Sequence, residues 1–183
     1  MTARGKLGIA ALVVALVVAT ATISSAITAS TSVSGKSMTA AKVVRSTFGQ
    51  SFNDDGGATA ATDLSGAGTT INVPAGQKAL LLIRFSADTA CFGGASGGYD
   101  QCYVQVLVNG NAAGPGEVSF DNNNNNTEAV TTSLRDAHEM EWVKSVGAGT
   151  YTVQVQVRTD DSGCCQVTFA LDHWTLTVER IRR

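Results

Sequence analysis

Hydrophobic and polar positions alternate along much of this chain with the two-residue period of a β-strand. "CYVQVLVNG" places Val104, Val106 and Val108 on one face and Tyr103, Gln105 and Leu107 on the other, and Asn109-Gly110 then marks a turn. "TYTVQVQVRT" repeats the pattern, with Tyr151, Val153, Val155 and Val157 inward and Thr152, Gln154, Gln156 and Arg158 outward. "KALLLIRFSA" is nearly continuous and apolar, as in a central strand covered on both faces. "TTINV" alternates ahead of the turn "PAGQ", and "SVGAGT" reads as a hairpin connection.

Two segments break the simple pattern. In the last strand Val167, Phe169 and Leu171 share odd parity, whereas Trp174, Leu176 and Val178 share even parity. One strand buries both sets only by slipping one residue, so a β-bulge or a break is predicted at Asp172–His173. In "SLRDAHEMEWVK" the apolar residues make no clean 3.6-residue stripe, while His138, Met140 and Trp142 alternate with Glu139, Glu141 and Val143. The segment is read as a strand. Seven to nine short strands with regular turn signals and no βαβ rhythm predict an all-β chain. The expected fold is a single antiparallel β-sandwich, jelly-roll-like.

The N-terminus follows a different rule. Arg4 and Lys6 precede a 15-residue apolar run, "LGIAALVVALVVATA", and small residues follow it. This is the pattern of a signal peptide over 1–26, with cleavage after Ala26 or Ala21, and the run falls short of the ~20 apolar residues a spanning helix needs. Residues 27–41 are Ser/Thr/Ala-rich and are expected to be a flexible spacer, with 52–68 a long Gly/Asp loop inside a sandwich domain spanning 42–183. Loss of Arg4 and Lys6 leaves 11 of the 13 basic residues against 15 acidic ones, a net charge of −4. That balance recruits neither nucleic acid nor an anionic membrane.

The Gly-rich stretch "CFGGASGGYDQC" contains G-x-S-x-G at residues 94–98, but a strand follows instead of the helix a nucleophile elbow requires. No Gly-Lys-Ser/Thr follows for a phosphate loop. The stretch is therefore read as a loop tip stapled by Cys91 and Cys102 between antiparallel neighbours, a ring that stabilises by about 3 kcal/mol. Cys164 and Cys165 are expected to bond to each other or to another chain. Neither pair has the C-x₂₋₄-C spacing of a zinc site.

If the strands alternate up and down, the connections 88–102, 121–130 and 159–165 share one end. "DNNNNNTE" and "TDDSG" there are dense in oxygen ligands, which makes Asp121, Asp160 and Asp161 candidate calcium ligands. His138 and His173 each stand near a carboxylate and a tryptophan, and Glu139, Glu141 and Asp172 are the carboxylates a sugar-cleaving enzyme would use. Phe92, Tyr99, Tyr103 and Trp142 are the aromatics that would reach a surface and serve as a sugar platform. Phe85, Tyr151, Phe169 and Trp174 are expected in the core.

"LLIRFSADTAC…CYVQVLVNG", "GAGTYTVQVQVRT" and "FALDHWTLTVER" together resemble a group of secreted, uncharacterised β-sandwich proteins of actinobacterial type, over roughly residues 71–180. The second cysteine pair departs from that group. The resemblance implies an exported sandwich and supplies no catalytic residues. The functional expectation is a secreted, non-enzymatic module that binds polysaccharide or cell wall through the stapled loop end. The alternatives are a self-associating jelly roll with an exposed apolar face at Leu107 and Tyr103, and a glycoside-active enzyme.

Overall fold

A computed structural model of the chain describes residues 38–53, 60–93, 100–123, 135–161 and 166–183. These residues form ten strands and no helix. One antiparallel sheet, A, contains β1 (Met38–Arg45), β2 (Gln50–Asn53), β4 (Ala79–Gly93), β8 (Asp136–Val146) and β10 (Val167–Arg182). The other, B, contains β3 (Thr62–Val73), β5 (Asp100–Val108), β6 (Asn111–Ala112), β7 (Val118–Asn123) and β9 (Gly149–Asp161). β1 and β2 are two halves of one edge on β10, and β6 and β7 are two halves of one edge on β5. Counted so, the sheets run β1/β2–β10–β4–β8 and β3–β9–β5–β6/β7, the eight-position order of a jelly roll.

The alternation seen in the sequence is what packs the two sheets together. Leu81, Ile83 and Phe85 of β4 meet Val104 and Val106 of β5 and Val153 and Val155 of β9 in one fully buried core. Phe169 and Trp174 are buried as expected, and Tyr151 packs at the margin. Burying a side chain of this kind contributes about 1.5–3 kcal/mol, so the inward rows outweigh any single surface contact. β8 is a strand, and its Trp142 is wholly buried, with the indole N–H donating to the Gly116 carbonyl at 2.7 Å. Gly114 exchanges two backbone hydrogen bonds with Val143, so the link between β6 and β7 covers the β8 edge and joins the sheets on that side.

The bulge lies where the parity change requires it. β10 pairs with β4 as Asp172↔Asp88 and then Thr175↔Ser86, so two residues of β10 oppose the single Ala87. His173 takes up the slip with φ of 45°. The β1/β2 edge breaks at the same level, with the Ser46 N–H donating to the Trp174 carbonyl at 3.0 Å. Asn109 and Gly110 both have positive φ, 49° and 76°, as the two-residue turn into β6 demands.

Three expectations need correction. The first strand begins at Met38, inside the segment read as spacer, because Ala40 and Val44 pack on the core while their neighbours face water. β3 begins at Thr62, inside the expected loop: Leu64 and Ala67 are both buried across a register shift between Asp63 and Gly68, a spacing that strict alternation hides. "SVGAGT" is not a hairpin, since β8 and β9 lie in different sheets.

His173 gives a direct test of the bulge. A left-handed backbone costs a residue bearing Cβ roughly 1–2 kcal/mol and glycine almost nothing. In denaturant unfolding, His173→Gly should match or exceed the parent's stability, and the β-branched His173→Val should lose about 1–2 kcal/mol. Equal stability for the two variants would remove the strained turn from the account.

Candidate functional site

Cys91 and Cys102 are bonded, with Cα atoms 5.9 Å apart. The antiparallel neighbours expected from the sequence are not what the bond joins. β4 lies in sheet A and β5 in sheet B, so the bond crosses the sandwich and ties the sheets together. Both residues point inward and are buried, which follows from parity with Phe85 on β4 and Val104 on β5. Cys164 and Cys165 lie outside the described residues, as do the G-x-S-x-G stretch and Tyr99.

Strand register brings the ends of the chain's connections together at this disulfide. Gly93 pairs with Val167, Asp100 with both Asn123 and Asp161, and Thr168 with Asn53. The core becomes polar here. Thr89, Asp100 and Thr159 are buried, and Asp121 joins them through a second bulge: Cys102 pairs with Asp121 and Tyr103 with Ser119, leaving Phe120 extra. That slip turns both Phe120 and Asp121 toward the interior. Thr89 Oγ1 donates to Asp121 Oδ2 across the sandwich at 2.8 Å, and the Asn122 N–H donates to Oδ1 at 2.7 Å. His138 Nε2 is 3.9 Å from the same Oδ1, and its ring centroid is 5.7 Å from that of Phe120.

Two of the calcium candidates, Asp121 and Asp160, lie on opposite faces of sheet B. Asp121 is on the inner face with both oxygens engaged, whereas Asp160 is on the outer face of sheet B and accepts from Arg158 Nη1 at 2.9 Å. Asp161 pairs with Asp100 along the backbone, and its side chain lies outside the described set. Among the described residues no group of three or more His, Cys, Asp or Glu is placed to hold a metal ion. The aromatic platform is dispersed as well. Trp142 is core; Phe92 is half-buried on sheet A, facing away from the interior; Tyr103 faces outward on sheet B.

The catalytic candidates are equally separated. His138 is on β8 facing the interior, and His173 is on β10 at the outer face with Nδ1 3.6 Å from Asp88 Oδ2; β4 stands between their strands. Asp172 is ion-paired with Arg135, which reaches over from the start of β8. Arg84 Nε donates to Glu141 Oε2 at 3.3 Å and the guanidinium faces Glu179, and the hydrogen bond it donates to Glu141 raises its pKa above the ordinary value.

Sequence reasoning nominates Tyr103, Leu107 and Asp160 singly on the outer face of sheet B but misses that this face is a connected polar network. Gln105 Nε2 donates to Gln156 Oε1 at 2.8 Å, and Gln156 Nε2 donates to Asp63 Oδ1 at 2.8 Å. Arg158 donates to both carboxylate oxygens of Glu117, at 2.6 and 3.0 Å, and lies 4.3 Å over the Tyr103 ring. The Glu117 bond, with Asp160 adding to it, raises the Arg158 pKa above its ordinary value against the opposing effect of burial. Tyr103 donates to Gln101. The signal in the sequence is the matched outward rows, Tyr-x-Gln of β5 and Gln-x-Arg of β9, which only the register aligns.

No protein-family model matches the chain, and no curated protein matches it.

The inter-sheet disulfide should be a large stabiliser. Replacing both Cys91 and Cys102 with alanine should lower the unfolding free energy by about 3 kcal/mol, as expected for opening a ring of this size. Non-reducing peptide mapping should recover Cys91 joined to Cys102. Recovery of either residue joined to Cys164 or Cys165 would overturn the pairing.

Proposed function

We propose that this chain is a secreted, non-enzymatic β-sandwich module that binds extracellular polysaccharide or cell wall at its disulfide-bearing end. The observation that carries the reading is the Cys91–Cys102 bond, which holds the two sheets in fixed relation at the end where the connecting segments converge. A frame fixed in this way presents ligand groups at low ordering cost. A buried disulfide suits an oxidising compartment, and the N-terminal apolar run has the composition of an export signal. The separation of the two histidines and the ion pairing of Glu141 and Asp172 weigh against an enzyme. Fold alone decides none of this, because jelly rolls host many functions.

Self-association is the second reading. It draws support from Phe48, 81% exposed, and Val43, 50% exposed, on the β1/β2 edge. The face at Leu107 and Tyr103, which the sequence nominates for this role, is half-buried and polar, with Arg158 lying over Tyr103.

The two readings separate in one experiment on the mature protein. It should be retained on at least one insoluble polysaccharide or cell-wall preparation and run as a monomer by light scattering. A chelator should leave retention unchanged, since Asp121 and Asp160 lie on opposite faces. An oligomer with no retention on any polymer would favour self-association.

A further inference from the structure

We propose that the outer face of the β5–β9 pair is a binding track for an uncharged, polyhydroxylated chain, running from the disulfide-bearing end along the strands. The proposal rests on the polysaccharide-binding reading and gives it a surface and a ligand class.

Four consecutive cross-strand pairs line the track: Gln101↔Asp160, Tyr103↔Arg158, Gln105↔Gln156 and Leu107↔Gln154. All eight side chains are half-buried, and the row extends about 20 Å at the rise of a β-strand. It starts beside Cys102 and is therefore continuous with the proposed binding end.

The polar groups are held in place before any ligand arrives. Gln105, Gln156 and Asp63 are joined in one row of hydrogen bonds, and Gln154 Nε2 is anchored on the Leu64 and Val155 carbonyls at 3.0 and 2.9 Å. Arg158 is fixed by Glu117 and Asp160. Locked side chains lose little rotamer freedom on binding. An amide carries two N–H donors and two acceptor lone pairs, and the Gln105–Gln156–Asp63 row uses one N–H of each glutamine. What remains on both amides is a donor beside an acceptor. That is what a hydroxyl requires, since it donates and accepts at once.

Charge selects among occupants. Asp63, Glu117 and Asp160 outnumber Arg158, so the face is rich in acceptors with a negative surplus. A polyanion is repelled, while hydroxyl donors are matched by the carboxylates. A second copy docking through the same face would set this surplus against itself, as a two-fold interface requires. An uncharged polyhydroxylated polymer is the occupant the face fits.

The test uses the mature protein and its Gln105→Ala/Gln156→Ala variant, each checked for an unchanged melting temperature. Both are run against insoluble cellulose, soluble β-glucan, starch and, as the acidic control, polygalacturonate, in low and high salt. The expected result is retention of the parent on a neutral polymer, unchanged by salt, with about tenfold weaker retention of the variant. A conservative Gln105→Asn/Gln156→Asn pair should recover part of the loss. If the variant binds as well as the parent, the track is wrong and the binding end stands. Retention on polygalacturonate alone, or retention that disappears in high salt, overturns the neutral-ligand assignment. A parent that binds no polymer overturns the reading on which the proposal rests.

Discussion

The fold turns on a conflict of parity within one strand. β10 spans Val167–Arg182 between the β1/β2 edge and β4, and its apolar residues fall on both parities. Without a slip, either the Val167–Phe169–Leu171 set or the Trp174–Leu176–Val178 set would face water. Each set contains three residues that are 2% exposed or less, so reversing one would lose several kcal/mol of burial. The bulge at His173 resolves the conflict at the cost of one left-handed backbone. It also accounts for the neighbourhood, because the edge strand breaks at the same level and Asp172 turns outward to meet Arg135.

A second slip has a different consequence. In β7 the extra residue at Phe120 turns a carboxylate into the interior instead of restoring an apolar row. Asp121 is tolerated there because Thr89 and the Asn122 backbone donate to it, as burial of a charged acceptor requires. The disulfide lies next to this polar region, where apolar packing between the sheets is giving way. The covalent tie thus joins the sheets beside buried polar groups, Thr89, Asp100 and Thr159.

Most of the strands are legible in the sequence because alternation over six or more residues leaves little room for another reading. The bulge in β10 is legible for the same reason: a parity change inside one apolar segment forces the strand either to slip or to stop. What escapes is whatever depends on partners. β1 and the start of β3 carry small or irregularly spaced apolar residues, and only their positions beside β10 and β9 make them strands. The pairing of Cys91 with Cys102 can be read from sequence, but its crossing between sheets cannot, since a twelve-residue connection fits either a hairpin or a change of sheet. The expectation of a surface Trp142 ran against the residue's own parity. It alternates with Glu141 and Val143, which puts it inside, and the Gly116 carbonyl that accepts its N–H comes from a segment 26 residues away.

The two outer faces show why a polar surface is not by itself a binding surface. On sheet A the charges converge on Arg84, which holds Glu141 and faces Glu179, and Ser86, Thr175 and Thr177 surround it with short side chains. Such a face closes its strongest groups on one another and leaves few directed donors. On sheet B the amides pair across strands, Gln105 to Gln156 to Asp63, while Arg158 holds Glu117 and, two residues along its own strand, Asp160. That cross-strand pairing fixes the two amides and uses only one N–H of each glutamine. The difference lies in which residues the register sets opposite each other: Gln105 opposite Gln156 places two amides side by side, where Arg84 opposite Glu141 places a charge and its counter-charge.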